Sequence, residues 1–408
     1  MSGPLSGVRV LDLSRVFAGP FAGQLLADLG ADVIKVERPG VGDDTRSWGP
    51  PFLKCADGTE TGDAGYFLAV NRGKRSITVS LNTPKGQRTV RELARRSDIL
   101  LENYKVGTLT KFGLGYEDLK AINPGLIYCS VTGFGQTGPR RDAAAYDFMI
   151  QAMGGLMSVT GERDDLPGGG PQKVGIPIVD VLTGMYAAVA VLAALACKQK
   201  TGKGDYIDIG MLDVMVASLA NQAMNYLISG KVPKRYGNRH PNIQPQDVFA
   251  SRNGHIALAV GNDGQFAKFC AAIGRPELAR DERFATNAAR VRNESILTPL
   301  IADLIGQRDT AAWLDLFEAA GVPCGPINTL PDLFKDPQVV DREMLIKVDH
   351  PAAGPISLVA SPMRFAEATL SVRRAPPLLG QHSEEILREL ALEDDGQCDS
   401  VPAKDGSA

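Results

Sequence analysis

An aspartate at the head of a nearly all-apolar stretch is the most chemically suggestive residue in this chain of 408 residues. In segment 175–184 (GIPIVDVLTG) a short apolar strand is expected to end at Asp180 and a helix to begin there. A carboxylate in that place serves as an N-cap that accepts backbone N–H bonds. It serves equally as a nucleophile, because apolar walls limit its hydration while nearby N–H groups stabilise developing negative charge. Segment 71–76 (NRGKRS) sets Arg72, Lys74 and Arg75 beside a strand start. Such a group holds phosphates or is a solvated basic turn. The first strand-to-helix turn, 18–23 (AGPFAG), is followed one strand later by Glu37 and Arg38. A helix start of this kind binds anions, but Gly19 and Gly23 do not make the G-x-G-x-x-G spacing of a dinucleotide site.

These residues need a scaffold, and the hydrophobic pattern supplies one. Residues 8–14 and 32–37 read as strands, with a Gly/Pro turn at 18–23 and a helix at 24–29 stopped by Gly30. Strands at 76–81, 99–102 and 126–132 and a helix at 85–97 continue the alternation. That pattern predicts an α/β fold with a largely parallel sheet covered on both faces. After Asp180 come a buried helix, a polar turn at 198–204, a strand at 206–209 and a long helix rich in Met and Ala running to 228. A linker is expected at 231–246, a hairpin at 248–260 around Asn253 and Gly254, and helices to 320. A second linker leads to a strand at 355–359, and a last helix at 383–392 precedes a polar tail expected to be disordered. The predicted organisation is a large domain from 1–229 together with 330–408, and a smaller α+β domain at 230–329.

Composition narrows the functions. A 44% hydrophobic fraction marks an ordinary globular chain, and a net charge of -3 without blocks of like charge argues against nucleic acid as a partner. The six cysteines form no C-x-x-C pair, and His240, His255, His350 and His382 are too far apart to suggest a metal motif. Arg9, Asp12 and Arg15 interrupt any apolar leader, and the apolar run 181–197 reads as a core helix, marginally short for a membrane span. Cytoplasmic placement, or the mitochondrial matrix in a eukaryote, and no membrane partner are the expectation.

Taken in order, these segments carry a resemblance. Residues 7–12 (GVRVLD), 18–20 (AGP), 29–37 (LGADVIKVE), Asn71 through Ser76, Glu102 and Asn103, Tyr146 and Asp147 through Gln151, Asp180 through Gly184, 321–326 (GVPCGP) and 379–382 (LGQH) run through residues 4–392. Together they resemble the class III CoA-transferases, the family that includes formyl-CoA transferase, crotonobetaine CoA-transferases and α-methylacyl-CoA racemase. The resemblance implies a Rossmann-like large domain, a smaller inserted domain and an interlocked homodimer. It implies CoA as substrate and carrier, with no metal or other cofactor. It matches Asp180 to the catalytic aspartate. It matches Val16, Phe17, Arg38, Leu68, Asn71, Arg72, Gly73, Lys74, Asn103 and Tyr104 to CoA contacts. Lys111 stands where formyl-CoA transferase has an arginine, and Ala144 stands where it has a lysine; the tetraglycine loop of that enzyme is missing here. Segment 42–51 (GDDTRSWGPP) resembles members that use dicarboxylates such as succinate and glutarate. There Arg46 is expected either to hold a remote carboxylate or to be a surface loop residue, and Trp48 to wall the pocket.

The expected reaction is transfer of CoA from an acyl-CoA, succinyl-CoA foremost, to a free acid such as glutarate, through an aspartyl-CoA thioester on Asp180. Racemisation beside the thioester, nicotinamide-dependent dehydrogenation and acyl-CoA binding without catalysis are the alternatives. Tyr146 stands where the racemase branch has its histidine, and an unperturbed tyrosine with a pKa around 10 is a poor base at neutral pH. In deuterated water the protein should therefore leave the α-carbon of a 2-methylacyl-CoA unlabelled. Rapid deuterium uptake, read by mass spectrometry, would overturn the preference for transfer.

Overall fold

The structure is a computed structural model that describes residues 3–372 and 374–390. The polar tail and the end of the last expected helix lie outside the described residues. In chain order, β1 (Arg9–Asp12), α1 (Ala18–Asp28) and β2 (Asp32–Glu37) come first. A hairpin of β3 (Phe52–Lys54) and β4 (Glu60–Ala64) leads to α2 (Gly65–Leu68), β5 (Arg75–Thr78) and α3 (Pro84–Arg95). Next are β6 (Ile99–Glu102), α4 (Tyr116–Ile122), β7 (Ile127–Thr132), α5 (Asp147–Met153) and α6 (Leu156–Val159). The long α7 (Ile178–Thr201), β8 (Tyr206–Gly210), α8 (Met211–Ser218) and α9 (Ala220–Ser229) follow. The described residues fall into two compact units, one within 3–155, 174–220 and 338–390, the other within 156–173 and 221–337.

The first unit is built on six parallel strands in the order β5-β2-β1-β6-β7-β8. Strand residues alternate between two apolar layers, as the pleat requires. Val10, Val33, Ile99, Leu101 and Ile127 pack with Ala22 and Leu26 of α1 and with Ala187 and Val191 of α7. Leu11, Ile34, Ile77 and Leu100 pack on the other face with Val90 and Leu93 of α3 and Leu119 of α4. Each such side chain, fully buried, contributes about 1.5–3 kcal/mol. The direction of winding reverses between β1 and β6. A sheet of this kind opens a crevice at the carboxyl ends of the strands where that reversal occurs.

Segment 18–23 is helical rather than the expected turn, because α1 already begins at Ala18. Pro20 is accommodated because first-turn N–H groups have no intrahelical acceptor to lose. The glycines serve close packing: a Cβ on Gly19 would lie 2.4 Å from Ser14 Cβ, and one on Gly23 would lie 2.9 Å from Asp12 Oδ2. α7 is the one described helix long and apolar enough to cross a membrane. In the structure it packs on α1, β7 and β8. Gly184 allows that approach, since a Cβ there would meet Ala18 O at 2.7 Å.

The second unit has its own antiparallel sheet. β9 (Gln246–Ser251) and β10 (Gly254–Ala259) form the expected hairpin. Then come α10 (Asp263–Ala272), α11 (Asn287–Arg292), α12 (Glu294–Ile305), α13 (Thr310–Ala320) and, after β11 (Cys324–Pro326), α14 (Leu330–Leu333). β11 pairs with β10. Phe266, Phe269, Trp313 and Phe317 fill the core. Two sequence expectations change. The long helix expected to run to 228 is broken between α8 and α9, where Ala220 has φ 45°. The second linker is partly ordered: it carries α14, α15 (Pro337–Asp341) and β12 (Leu345–His350), and β12 pairs with β13 (Gly354–Val359). The chain closes on α16 (Ser383–Glu389), which packs against β5.

Candidate active site

The carboxyl ends of β1 and β6 meet through side-chain amide bonds. Asn103 Oδ1 accepts the Arg15 N–H at 2.8 Å, and Asn103 Nδ2 donates to Arg15 O at 2.6 Å. The next residue, Val16, has φ 70°. A β-branched residue in the left-handed region is a backbone outlier, and such strain gathers at functional sites. The Val16 N–H is held at 3.2 Å by Asp43 Oδ1. Phe17 then starts α1 without a side-chain cap. The turn after β6 is tied by the Glu102 carboxylate, which accepts the Tyr104 N–H at 2.7 Å. Burial pushes Glu102 up to about 7, against hydrogen bonds from Ser130 and the Tyr104 N–H.

Asp180 lies in the first turn of α7, and no strand precedes it. Pro177 has no N–H to give a strand ladder, and the helix begins right behind it at Ile178. Nor is Asp180 the cap. That role falls to Asp147, whose Oδ2 accepts the N–H groups of Val179 at 2.7 Å and Asp180 at 3.2 Å. Gln151, one turn further along α5, steadies the other oxygen of Asp147 at 2.5 Å and accepts the Val174 N–H at 2.9 Å. Asp180 is 8% exposed. Burial first, and then the charge of Asp147, push its carboxyl up to about 7. Tyr66 also feels both carboxylates: burial and then the charges of Asp180 and Asp147 push its hydroxyl up to about 12. Its ring sits between Trp48 and Phe17, with edge-on contacts at 5.2 and 5.5 Å.

Asp180 opens into a cleft of about 270 Å³ that Val16, Phe17, Asn103, Tyr104 and Tyr146 also line. A larger cleft of about 720 Å³ lies at the ends of β1, β2 and β5, with Arg38, Thr108 and Phe112 in its wall. Arg15 and Tyr104 line both clefts. The Arg15 guanidinium sits 5.0 Å over the Tyr104 ring, and its Nε is buried without a hydrogen-bond partner. Arg15 and Arg38 share one carboxylate, Asp44, at 3.3 and 2.6 Å. That leaves an excess positive charge where the clefts adjoin.

The structure brings together Asp180, Val16, Phe17, Asn103, Tyr104 and Tyr146 in one cleft and Arg38 in the other. Lys111 is exposed on a single 3₁₀ turn beside Phe112. Leu68 is half-buried on α2, and Trp48 is 40% exposed. In segment 71–74 the polar side chains face inward. Lys74 is fully buried, and its ammonium donates to Asp12 at 2.8 Å, Pro20 O at 2.8 Å and Asn71 at 2.9 Å. Arg72 forms a two-point pair with Asp28, and the Gly73 N–H donates to Arg374 O. Arg46 is no surface loop residue. It is 5% exposed and donates twice to Glu37 at 2.8 Å, to Asp63 at 2.6 Å and to Pro377 O at 3.1 Å. Its guanidinium lies 3.7 Å over the Phe67 ring.

The sequence reading gave no role to Asp147, Gln151, Arg15 or Tyr66. The i, i+4 spacing of Asp147 and Gln151 was the available signal for a shared helix face; Tyr66 offers no local signal at all.

Comparison with known proteins gives consistent findings. A model described as CoA-transferase family III matches residues 5–383. A succinate–glutarate CoA-transferase of Agrobacterium fabrum is 49% identical over 387 residues, covering 95% of this chain and 96% of that one. A succinyl-CoA:glutarate CoA-transferase of Homo sapiens is 46% identical, covering 96% and 87%. The crystal structure of a CAIB/BAIF family protein from Brucella suis superposes with a TM-score of 0.83 at 49% identity, covering 96% of this chain and all of that one.

The Asp147–Asp180 pair sets a pH dependence. If ionised Asp180 is the working form, activity rises with pH through its pKa of about 7. Asp147→Asn keeps an acceptor for the α7 N–H groups but removes the like charge, so Asp180 should ionise at lower pH. The acid limb of the pH–rate profile is expected to move to lower pH. A limb that stays in place would assign the whole shift to burial.

Proposed function

The chain belongs to CoA-transferase family III, and from that premise we propose that it moves CoA from succinyl-CoA to glutarate through a covalent thioester on Asp180. The observation that carries the mechanism is a buried carboxylate, raised to about 7, in a cleft that shares walls with a second, larger one. Burial raises basicity, and a more basic carboxylate is the stronger nucleophile while a useful fraction stays ionised at neutral pH. The names of the similar proteins support the acid pair.

The proposed cycle balances without water, metal or redox chemistry. The Asp180 carboxylate attacks the succinyl thioester carbonyl and expels CoA thiolate, leaving a mixed anhydride. The thiolate attacks the aspartyl carbonyl and releases succinate, leaving aspartyl-CoA. The glutarate carboxylate attacks that thioester and expels the thiolate again, giving a second anhydride. The thiolate attacks the glutaryl carbonyl, forms glutaryl-CoA and frees Asp180. Both anhydrides are open to hydrolysis, so the apolar walls from Val16, Phe17, Val131 and Met211 have a chemical purpose. The uncapped start of α1 is the donor set we assign to the oxyanions. One such donor is worth roughly 3–4 kcal/mol in acyl transfer.

In this reading the nucleotide end of CoA lies in the larger cleft beside Arg38, its arm passes Arg15 and Tyr104, and its thiol reaches Asp180. The strand order supports Rossmann-like use of the crevice between β1 and β6. A homodimer is part of the proposal. Its support is the apolar surface left open on α7 at Met185, Tyr186 and Val189 and on α9 at Leu227 and Ile228. Cytoplasmic placement is proposed too, supported by five described cysteines that are all free thiols.

Light scattering should give twice the 43.5 kDa chain mass, stable on dilution; full specific activity in a monomer peak would remove the dimer. Asp180→Asn should keep its backbone bond to Asp147, fold and bind CoA, yet lose CoA exchange by several orders of magnitude. Wild-type protein incubated with succinyl-CoA alone should yield an Asp180 peptide modified by hydroxylamine. Near-normal turnover in a folded Asp180→Asn sample, checked by mass for deamidation, would sink the covalent mechanism.

A further inference from the structure

The Asp180 cleft is rich in carboxylates for a site that must admit a dianion. Asp44, Asp147 and Asp180 line it, against the cations Arg15, Lys105 and Arg141. A dicarboxylic acid offers one carboxylate to the reaction and brings the second in as an unreacting charge. Beside Asp147 and Asp180 that second charge is repelled unless a cation meets it. Arg46, the residue the sequence offered for this, is closed off by Glu37 and Asp63. Arg15 is stacked on Tyr104 and paired with Asp44, on the side shared with the larger cleft.

Arg141 is placed differently. Its ion pair is with its own sequence neighbour, Asp142, at 3.4 Å, and both side chains are mostly exposed. Such pairs contribute little and are readily exchanged for a better partner. The residues that follow, Ala143, Ala144 and Ala145, also line the cleft and fill little of it. They are held against the end of β7, since a Cβ on Gly133 would lie 2.3 Å from Ala145 Cβ. A guanidinium therefore stands at a low wall of the cleft that contains Asp180, with its fork uncommitted to any buried carboxylate. Lys105 offers a point charge at the same cleft, whereas Arg can bind a carboxylate through two parallel N–H bonds.

We propose that Arg141 holds the remote carboxylate of the acid substrates and so sets the preference for dicarboxylates. This rests on the CoA-transfer reading above and adds the residue that selects the acid. It accounts for discrimination between a diacid and a neutral-tailed acid of the same length, which the apolar walls alone cannot supply.

The test compares glutarate with its monoamide, glutaramate, as acceptors of CoA from succinyl-CoA, using the full-length protein. The two acids match in size and differ in the remote charge. Wild type should favour glutarate in kcat/KM. In Arg141→Gln that ratio should fall by about 10- to 100-fold, as for loss of a hydrogen-bonded charge partner. Arg141→Lys should keep part of it, while Lys105→Gln should keep most of it. An active wild type whose ratio survives in Arg141→Gln, or collapses in Lys105→Gln instead, overturns the assignment alone. A wild type that loads CoA onto neither acid removes the transfer reading and this one together.

Discussion

Lys35 and Lys74 are both fully buried, and each is held by a carboxylate that also organises the backbone around the candidate site. Asp12, at the end of β1, takes Lys74 on one oxygen and the Ser14 N–H on the other. Asp43 takes Lys35 at 2.8 Å and also accepts the N–H groups of Val16 and Thr45. Lys35 in turn donates to Ser14 O. Burial works to raise both carboxyls, but the lysines outweigh it, holding Asp12 below the usual carboxylate range and Asp43 at about 2. Charges this deep carry a desolvation cost of several kcal/mol per ion, so they are weak evidence of stability. What they do here is fix the path of residues 14–16, which turn from β1 into α1.

That path is where strain is stored. Asp43 holds the Val16 N–H there, next to Phe17 and the uncapped start of α1. Asn103 clamps the same turn from β6. The two clefts thus share a wall that is pinned from below by ion pairs and from the side by an amide. A pinned wall suits chemistry in which the same thiolate must attack, leave and attack again without drifting, because proximity substitutes for concentration.

Asp147 adds the other half of the arrangement. By capping α7 it supplies what the helix start needs and sets a second negative charge beside Asp180. A neutral cap would have left Asp180 more acidic and less nucleophilic. The same choice makes the cleft unfriendly to anions, although its substrates are carboxylates. Arg15, Lys105 and Arg141 line the same cleft and offset those charges.

Local pattern was enough to read β1, β2, β6 and β7 and the apolar α7, because alternation and apolar runs are properties of neighbouring residues. It was also enough to single out Asp180, a lone carboxylate heading such a run, and the ordered motifs carried the family. It misread 18–23 as a turn, since glycines needed for close packing look the same in sequence as glycines needed for a bend. It did not show that Arg72, Lys74 and Arg46 are ion-paired in the core, for a different reason. Their carboxylate partners lie 44, 62 and 9 to 17 residues away and meet them only once the strands are aligned. The residue types along the chain determined that a carboxylate heading an apolar run, a parallel sheet and many cations would be present. Which cations were consumed in the core and which were left facing the cleft was decided by the tertiary structure, because a charge is neutralised by what is near it in space.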